Sequence, residues 1–361
     1  MMLQLMIVGC GTVVDQYYRG ALRRLESRGI ARVVGLVDPD PGRAAALGQH
    51  FPSARVFATP AGAFAQTTPD LTIVTSPPSL HAEHAIAAFA AGSHVLCEKP
   101  MAVTVDDAER MVAAAGMARR VLAVGMTRRM HPCLAEARAL LGSGSLGDRL
   151  SFVYREGAVY GWPVSTDSAF RRATAGGGVL MDKGTHVLDF LSALFGEPTA
   201  TAYADDGHAD GVETNCTISL DFPRASGTVQ LSWSEPLVNG FQVAGPTGQL
   251  TLHPWRLDAV QWRRNGGAWK TRVSEAAWPR DLRPRARRGT PWSYEDCMYY
   301  QLVQVLRAVV HGEPVPVTGE HGLAVLRAIH ACYRQAQPLR LAWLTEAEQA
   351  RADARHWSRP Q

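Results

Sequence analysis

Only three of the 37 basic residues are lysine, and two of those three sit in the densest polar stretches of the chain. Lys99 lies in Cys97-Glu98-Lys99-Pro100, and Lys183 in Met181-Asp182-Lys183-Gly184-Thr185-His186. A lysine ammonium is a compact donor whose pKa moves on burial, which suits it to tasks a guanidinium does poorly. Asp182, His186 and Asp189 are spaced four and three apart, so a helix would put them on one face. A histidine flanked by carboxylates can take or give a proton near neutral pH. An ammonium at Lys99 can hydrogen-bond a hydroxyl and stabilise the alkoxide that develops as a hydride leaves carbon. Metal binding, and a histidine satisfied structurally by Asp189, are the competing readings of the cluster. Lys183 would lie about 100° from Asp182 on a helix, which favours a rim lysine over a substrate contact. Lys270, in Ala268-Trp269-Lys270, has no polar motif around it.

Such groups need a rigid frame, and the first third of the chain supplies one. Short apolar segments alternate with amphipathic ones: strands at 3–8, 31–37, 55–57, 71–75, 94–97 and 121–124, helices at 15–27, 41–49, 81–91 and 105–118. That alternation predicts a doubly wound parallel sheet, and ligands in such sheets bind beyond the carboxyl ends of the strands. Gly9-Cys10-Gly11-Thr12-Val13-Val14 follows the first strand and opens the first helix. There the first glycine allows a tight turn, and the second lets backbone N–H groups approach a pyrophosphate. Gly9, Gly11, Thr12 and Val13 are therefore candidate cofactor contacts, although Val14 stands where the general fingerprint has its third glycine. Asp38 ends the second strand, placed to accept from the adenosine ribose hydroxyls and to repel a 2′-phosphate. NAD is the expected cofactor. NADP is the alternative, because Arg43 on the following helix is within reach of a phosphate.

After Met126 the pattern changes. One helix is expected at 132–141, then longer alternating strands at 215–222, 227–234, 249–253 and 260–264, joined by hairpin-like connectors such as 223–226 and 265–267. Helices at 294–310 and 319–335 close the pattern. The division expected is a Rossmann domain at 1–125, an α+β domain with an antiparallel sheet at 126–345, and a polar tail at 346–361. The last helices are allowed to pack back on the first domain.

Composition narrows the function class. Hydrophobic residues make up 46%, charged residues 19%, and the net charge is +4, an ordinary globular balance. The run from Arg280 to Arg288 is broken by prolines and lacks interleaved aromatics, so it reads as a solvated loop and no nucleic-acid partner is expected. No apolar run approaches the roughly 20 residues needed to span a bilayer. The six cysteines form no Cys-x-x-Cys or zinc spacing, which suits free thiols in a reducing cytoplasm and no bound metal.

Two longer stretches complete a pattern. One runs from Ser76-Pro77-Pro78-Ser79-Leu80-His81 through Ala91-Gly92-Ser93-His94-Val95-Leu96-Cys97-Glu98-Lys99-Pro100. The other is Gly176-Gly177-Gly178-Val179-Leu180-Met181-Asp182-Lys183-Gly184-Thr185-His186-Val187-Leu188-Asp189. With the glycine turn, they resemble the glucose-fructose oxidoreductase / inositol dehydrogenase / rhizopine catabolism (Gfo/Idh/MocA) family over nearly the whole chain. The resemblance implies a Rossmann domain followed by an α+β domain whose large, open, mostly antiparallel sheet commonly forms a homodimer or homotetramer interface. It implies an NAD(P)-dependent oxidoreductase acting on a secondary alcohol or ketone of a sugar, sugar derivative or cyclitol. Lys99 and His186 would be the catalytic pair, with Asp182 and Asp189 facing substrate. Ser76, Pro77 and His81 would lie beside the cofactor, and Glu98 would meet the nicotinamide ribose or orient Lys99. Arg129, Arg155, Tyr160, Trp162, Arg171 and Lys183 are further candidates for substrate contact. Alternatives within the same scaffold are transient use of NAD in glycoside cleavage or epimerisation, and a regulator that binds NAD without turnover.

Overall fold

The computed structural model describes residues 2–163, 167–207, 211–253, 256–274, 292–342 and 344–356. The arginine run at 280–288 lies outside them. The chain divides into two units, Met1–Met130 with Ser293–Leu326, and His131–Trp292 with Arg327–Gln361. The second unit thus begins at His131 where the sequence suggested 126, and the segment Ser293–Leu326 belongs with the first.

The first unit holds a six-stranded sheet: β1 (Leu3–Val8), β2 (Ala31–Val37), β3 (Arg55–Phe57), β4 (Leu71–Val74), β5 (His94–Cys97) and β6 (Leu122–Val124), in the order β3-β2-β1-β4-β5-β6. Every pairing is parallel. Parallel strands covered on both faces read as continuous apolar runs, and Leu5 to Val8 and Leu71 to Val74 are all buried. The helix expected at 15–27 is an α-helix only over Arg19–Ser27. A π-helical segment, Val14–Tyr18, precedes it. Val14, in the place of the third glycine, is fully buried there. The helix Tyr294–His311 opens on a capping box of Ser293 and Asp296. Asp296 also pairs with Arg24, whose guanidinium lies 3.9 Å from the centre of the Tyr299 ring, so this late helix is tied to the first one.

Among the described residues, the second unit holds nine strands: β7 (Leu150–Gly157), β8 (Thr199–Asp205), β9 (Asn215–Phe222), β10 (Ala225–Ser232), β11 (Gly240–Ala244), β12 (Gly248–Leu252), β13 (Ala259–Arg264), β14 (Lys270–Val273) and β15 (Gln337–Pro338). Their order is β14-β13-β12-β11-β7-β10-β9-β8-β15. The sheet is mixed and mostly antiparallel. β7 with β10 and β8 with β15 are the parallel pairs. β10 starts at Ala225, inside the stretch expected as a connector, which leaves Pro223 and Arg224 as the turn. Phe152 of β7 and Phe241 of β11 pack on Phe195 and Phe190 of the helix Thr185–Phe195, and Phe222 joins them. This fixes the buried face. The side chains alternating with them, Val153, Arg155 and Gln242, occupy the opposite face. The tail forms a helix, Glu346–Arg355, and His356 beyond it bonds Asp205 at 2.9 Å. No described helix is long and apolar enough to cross a membrane.

Candidate active site

In the first unit, the candidate cofactor residues line the carboxyl edge of the sheet in strand order. Asp38 follows β2, Gly9 follows β1, Ser76 follows β4 with Thr75 between, and Glu98 and Lys99 follow β5. Gly9 has a φ of 98°, and a Cβ there would lie 2.5 Å from the Ser76 nitrogen, so only glycine serves. A Cβ on Gly11 would meet nothing within 4 Å, which leaves open space beside the turn as a phosphate cradle requires. The Gly11 carbonyl accepts from the amides of Val14 and Asp15, and this starts the helix just after Thr12 and Val13. Asp38 does more than wait for a ribose. Its Oδ2 accepts from the Cys10 amide at 2.8 Å and its Oδ1 from the Asp40 amide at 2.9 Å, so it braces the glycine turn. Asp40 caps the next helix and lies 3.4 Å from the Arg43 Nε, which ties Arg43 into its own helix start.

The second strand-end loop is equally braced. His81 is buried, with Nδ1 2.9 Å from the Pro100 carbonyl and Nε2 2.7 Å from the Ser76 carbonyl. Burial pushes its pKa down to about 4, so the ring is neutral and donates to only one of the two. Expected beside the cofactor, His81 clamps the Ser76-Pro77 turn to the loop carrying Lys99. His84 bonds the Ser76 hydroxyl at 2.9 Å. Glu98 is buried. Its Oε1 accepts from the Tyr18 hydroxyl at 2.6 Å and its Oε2 from the Lys99 amide at 3.0 Å. Of its two expected roles, the carboxylate's bonds match the one that orients the Lys99 segment. Lys99 itself is half-buried.

In the second unit, Asp182 and His186 belong to one continuous stretch, a π-helical segment Leu180–Gly184 running into the helix Thr185–Phe195. Both are half-buried, and Asp189, expected to face substrate with Asp182, is fully buried. Two glycines of the triplet, Gly177 and Gly178, explain themselves by close approach. A Cβ on Gly178 would lie 1.9 Å from the Glu213 carbonyl oxygen, and one on Gly177 would lie 1.8 Å from the Tyr333 hydroxyl. Glu213 then anchors the segment: its Oε1 accepts from the Leu180 amide at 3.0 Å and from Tyr333 at 2.8 Å. Burial, and next the charge of Asp205, push Glu213 up to about 7.

Tyr160 is brought beside Asp182. Burial, and next the Asp182 charge, raise its phenol above the ordinary value. It packs edge-on against Phe170 at 5.2 Å and Trp233 at 4.9 Å. Phe170 and Trp233 were not singled out from the sequence, and they surround a residue that was. Arg155 is on the opposite sheet face, its Nε bonded at 2.8 Å to Gln230, its parallel-strand neighbour. Lys183 donates to the Ser232 carbonyl of β10 at 3.1 Å, a bond that holds the π-helical segment to the sheet. Arg171 is largely exposed and bonds Asp167 four residues back at 2.7 Å. Arg129 belongs to the first unit, in the 3-10 turn Thr127–Met130, where its charge reaches His321. Trp162 is half-buried in the loop after β7. Lys270 has a cross-strand role, with Nζ 5.7 Å from the centre of the Trp262 ring. Among the described residues, no group of three or more His, Cys, Asp or Glu side chains is placed to hold a metal ion.

Comparison with known proteins agrees with this frame. Residues 3–126 match the oxidoreductase family with an NAD-binding Rossmann fold, GFO_IDH_MocA, and residues 134–251 match the GFO/IDH/MocA C-terminal domain. The chain is 30% identical to inositol 2-dehydrogenase 2 of Saccharopolyspora erythraea over 339 residues, 90% of this chain and 91% of that protein. It is 31% identical to D-glucoside 3-dehydrogenase of Escherichia coli over 199 residues, covering 54% and 55%. Among solved structures, aldose-aldose oxidoreductase from Caulobacter crescentus complexed with glycerol superposes with a TM-score of 0.77 at 28% identity, covering 93% and 97%. With both domains matched in order, a braced glycine turn and a strand-end Glu-Lys-Pro segment, the chain belongs to the Gfo/Idh/MocA family of NAD(P)-dependent oxidoreductases.

Proposed function

We propose that this chain transfers a hydride between NAD and a secondary alcohol or ketone of a sugar or cyclitol, with Lys99 and His186 acting on the reacting oxygen. The observation that carries the reading is the row of strand-end residues Asp38, Gly9, Ser76 and Glu98-Lys99 along one edge of a parallel sheet. The glycine turn and Asp38 would hold NAD, and bound NAD supplies the hydride acceptor. The Lys99 ammonium donates to the substrate oxygen and stabilises the charge that builds there, while His186 takes the hydroxyl proton. Asp182 accepts from a neighbouring hydroxyl. Tyr160, with Phe170 and Trp233 around it, presents an aromatic edge beside Asp182, a pairing suited to a polyol ring with polar rims and apolar C–H faces. Asp38, and the tying of Arg43 to Asp40, favour NAD over NADP.

The test is a purified-protein assay of NADH formation with myo-inositol, glucosides and related polyols, each with NAD and with NADP. Absence of hydride exchange with every one would overturn the reading. The related names that support it, inositol 2-dehydrogenase and D-glucoside 3-dehydrogenase, describe hydride donors of this kind. The reading includes assembly of copies through the open face of the nine-stranded sheet. That face carries Val238 at 84% exposure and a cavity of about 300 Å³ lined by Val153, Arg155 and Gln242 among others. Light scattering on Arg155→Glu, with a fall in mass expected, checks it. The six cysteines are buried and form no disulfide, which fits a reducing compartment such as the cytoplasm.

A further inference from the structure

We propose that Tyr18 is a positioning residue for Lys99, acting through the Glu98 carboxylate. The inference rests on the assignment of Lys99 as the group that meets the substrate oxygen. Three observations converge on it. Tyr18, at the end of the π-helical segment, is fully buried, and its hydroxyl reaches Glu98 Oε1 at 2.6 Å, the short distance of a charge-assisted bond. The other carboxylate oxygen takes the Lys99 amide at 3.0 Å, so one side chain links the first helix to the backbone of the candidate catalytic lysine. β6 makes room for this: a Cβ on Gly125, just past its end, would lie 2.7 Å from Glu98 Oε1.

The electrostatics require the phenol. Burial raises Glu98 toward its neutral form, and the Tyr18 bond, then the Lys99 charge and the Lys99 amide, oppose that. Burial and the Glu98 charge hold the Tyr18 phenol well above its ordinary value, so it remains a donor. The ionisable groups facing Glu98 are Tyr18 from the π-helical segment, Tyr294 from the helix Tyr294–His311, and Cys97 and Lys99 from its own strand end. Gly125 contributes no side chain. Removing the Tyr18 hydroxyl leaves Oε1 without its donor. The carboxyl then takes up a proton at higher pH, and a neutral carboxyl no longer attracts the lysine.

The scarcity of lysine makes the test direct. Reductive methylation with ¹³C-formaldehyde labels Lys99, Lys183, Lys270 and the N-terminus, and Lys99→Arg assigns the Lys99 resonance. On titration, that resonance is expected to carry a small inflection as Glu98 ionises, absent in Glu98→Gln. Tyr18→Phe should move the inflection up by about one pH unit. Gly125→Ala, which crowds the same oxygen from β6, should move it the same way and serves where Tyr18→Phe does not fold. An inflection at the wild-type pH in the folded variant, or a Lys99 resonance blind to Glu98→Gln, overturns the proposal. Lys99→Met tests the catalytic assignment separately. Full hydride transfer by that variant removes the assignment and leaves the Tyr18–Glu98–Lys99 coupling standing.

Discussion

The Tyr333 hydroxyl donates to Glu213 Oε1 at 2.8 Å in the space that Gly177 leaves by having no side chain. The same Oε1 takes the Leu180 amide, two residues before Asp182. Gly177 and Gly178 are therefore the mould of a buried tie that joins Glu213, just before β9, and the helical Tyr333 to the segment bearing the candidate substrate carboxylate. Gly177→Ala should destabilise the protein by about 2–4 kcal/mol through overpacking. Adding Tyr333→Phe should recover part of that loss, because the clash is with the phenol oxygen. Gly178→Ala faces the Glu213 backbone and should gain nothing from Tyr333→Phe. Thermal unfolding of the three single variants, Tyr333→Phe included, and the two double variants decides this, and strict additivity would sink it.

Glu213 makes stability depend on pH. Its folded value of about 7 lies above the ordinary 4.5, so its contribution is complete below the unfolded value and is lost as pH rises through about 7. The loss is on the order of 3 kcal/mol. Glu213→Gln keeps the Oε1 acceptor and removes the charge. Between about pH 5 and about pH 8, the melting temperature of the wild type should fall more than that of the variant. Parallel curves would show that Asp205, or another group, carries the dependence.

Asp38 is expected to serve two ends. Asp38→Ala removes the acceptor for the Cys10 and Asp40 amides as well as the candidate ribose acceptor. NAD affinity should fall about tenfold and stability by about 1–2 kcal/mol, with the NADP-to-NAD affinity ratio rising. Calorimetric titration with both cofactors measures this. Equal losses for the two would leave Asp38 a brace only.

Lys99→Met and His186→Ala should each lower the turnover number by about 10²–10⁴-fold, with NAD affinity changing far less. Stopped-flow measurement of NADH formation checks the split. A rise in KM at unchanged turnover would assign either residue to binding alone.

Much of the frame was legible because local signals agreed with tertiary need. β2 and β5 run over the residues read from the sequence, since apolar runs stopped by Asp38 and Glu98 admit one parallel strand each. β7 was not read. Glu156 sits buried on its core face and bonds Tyr154, while Val153 turns to the open face, so the polar alternation is scrambled. The α-helix expected from Asp15 begins only at Arg19, because hydrophobic period alone does not separate a π-helical turn from an α-helical one. In the site, Lys99 and Asp182 announced themselves through neighbours in sequence. Glu213 and Tyr333 could not: their bonds to Leu180 and to each other span 33 and 120 residues. The face that Arg155 takes was not legible for the converse reason, since a strand's two faces look alike until the packing partner of one is known.

The division of the chain has a consequence for how it is made and altered. Each unit is stitched from two separate stretches, with Met1–Met130 completed only by Ser293–Leu326. A ribosome delivering the chain in order releases the nucleotide-binding sheet long before the helix Tyr294–His311 that covers its first helix and supplies Asp296 to Arg24. A truncated product ending at 130 would therefore bare the Arg24 surface to solvent. Exchange of the second unit between relatives is an insertion with two joints, near 131 and 292, and a third near 326, so chimeras that cut once inherit an unfinished half.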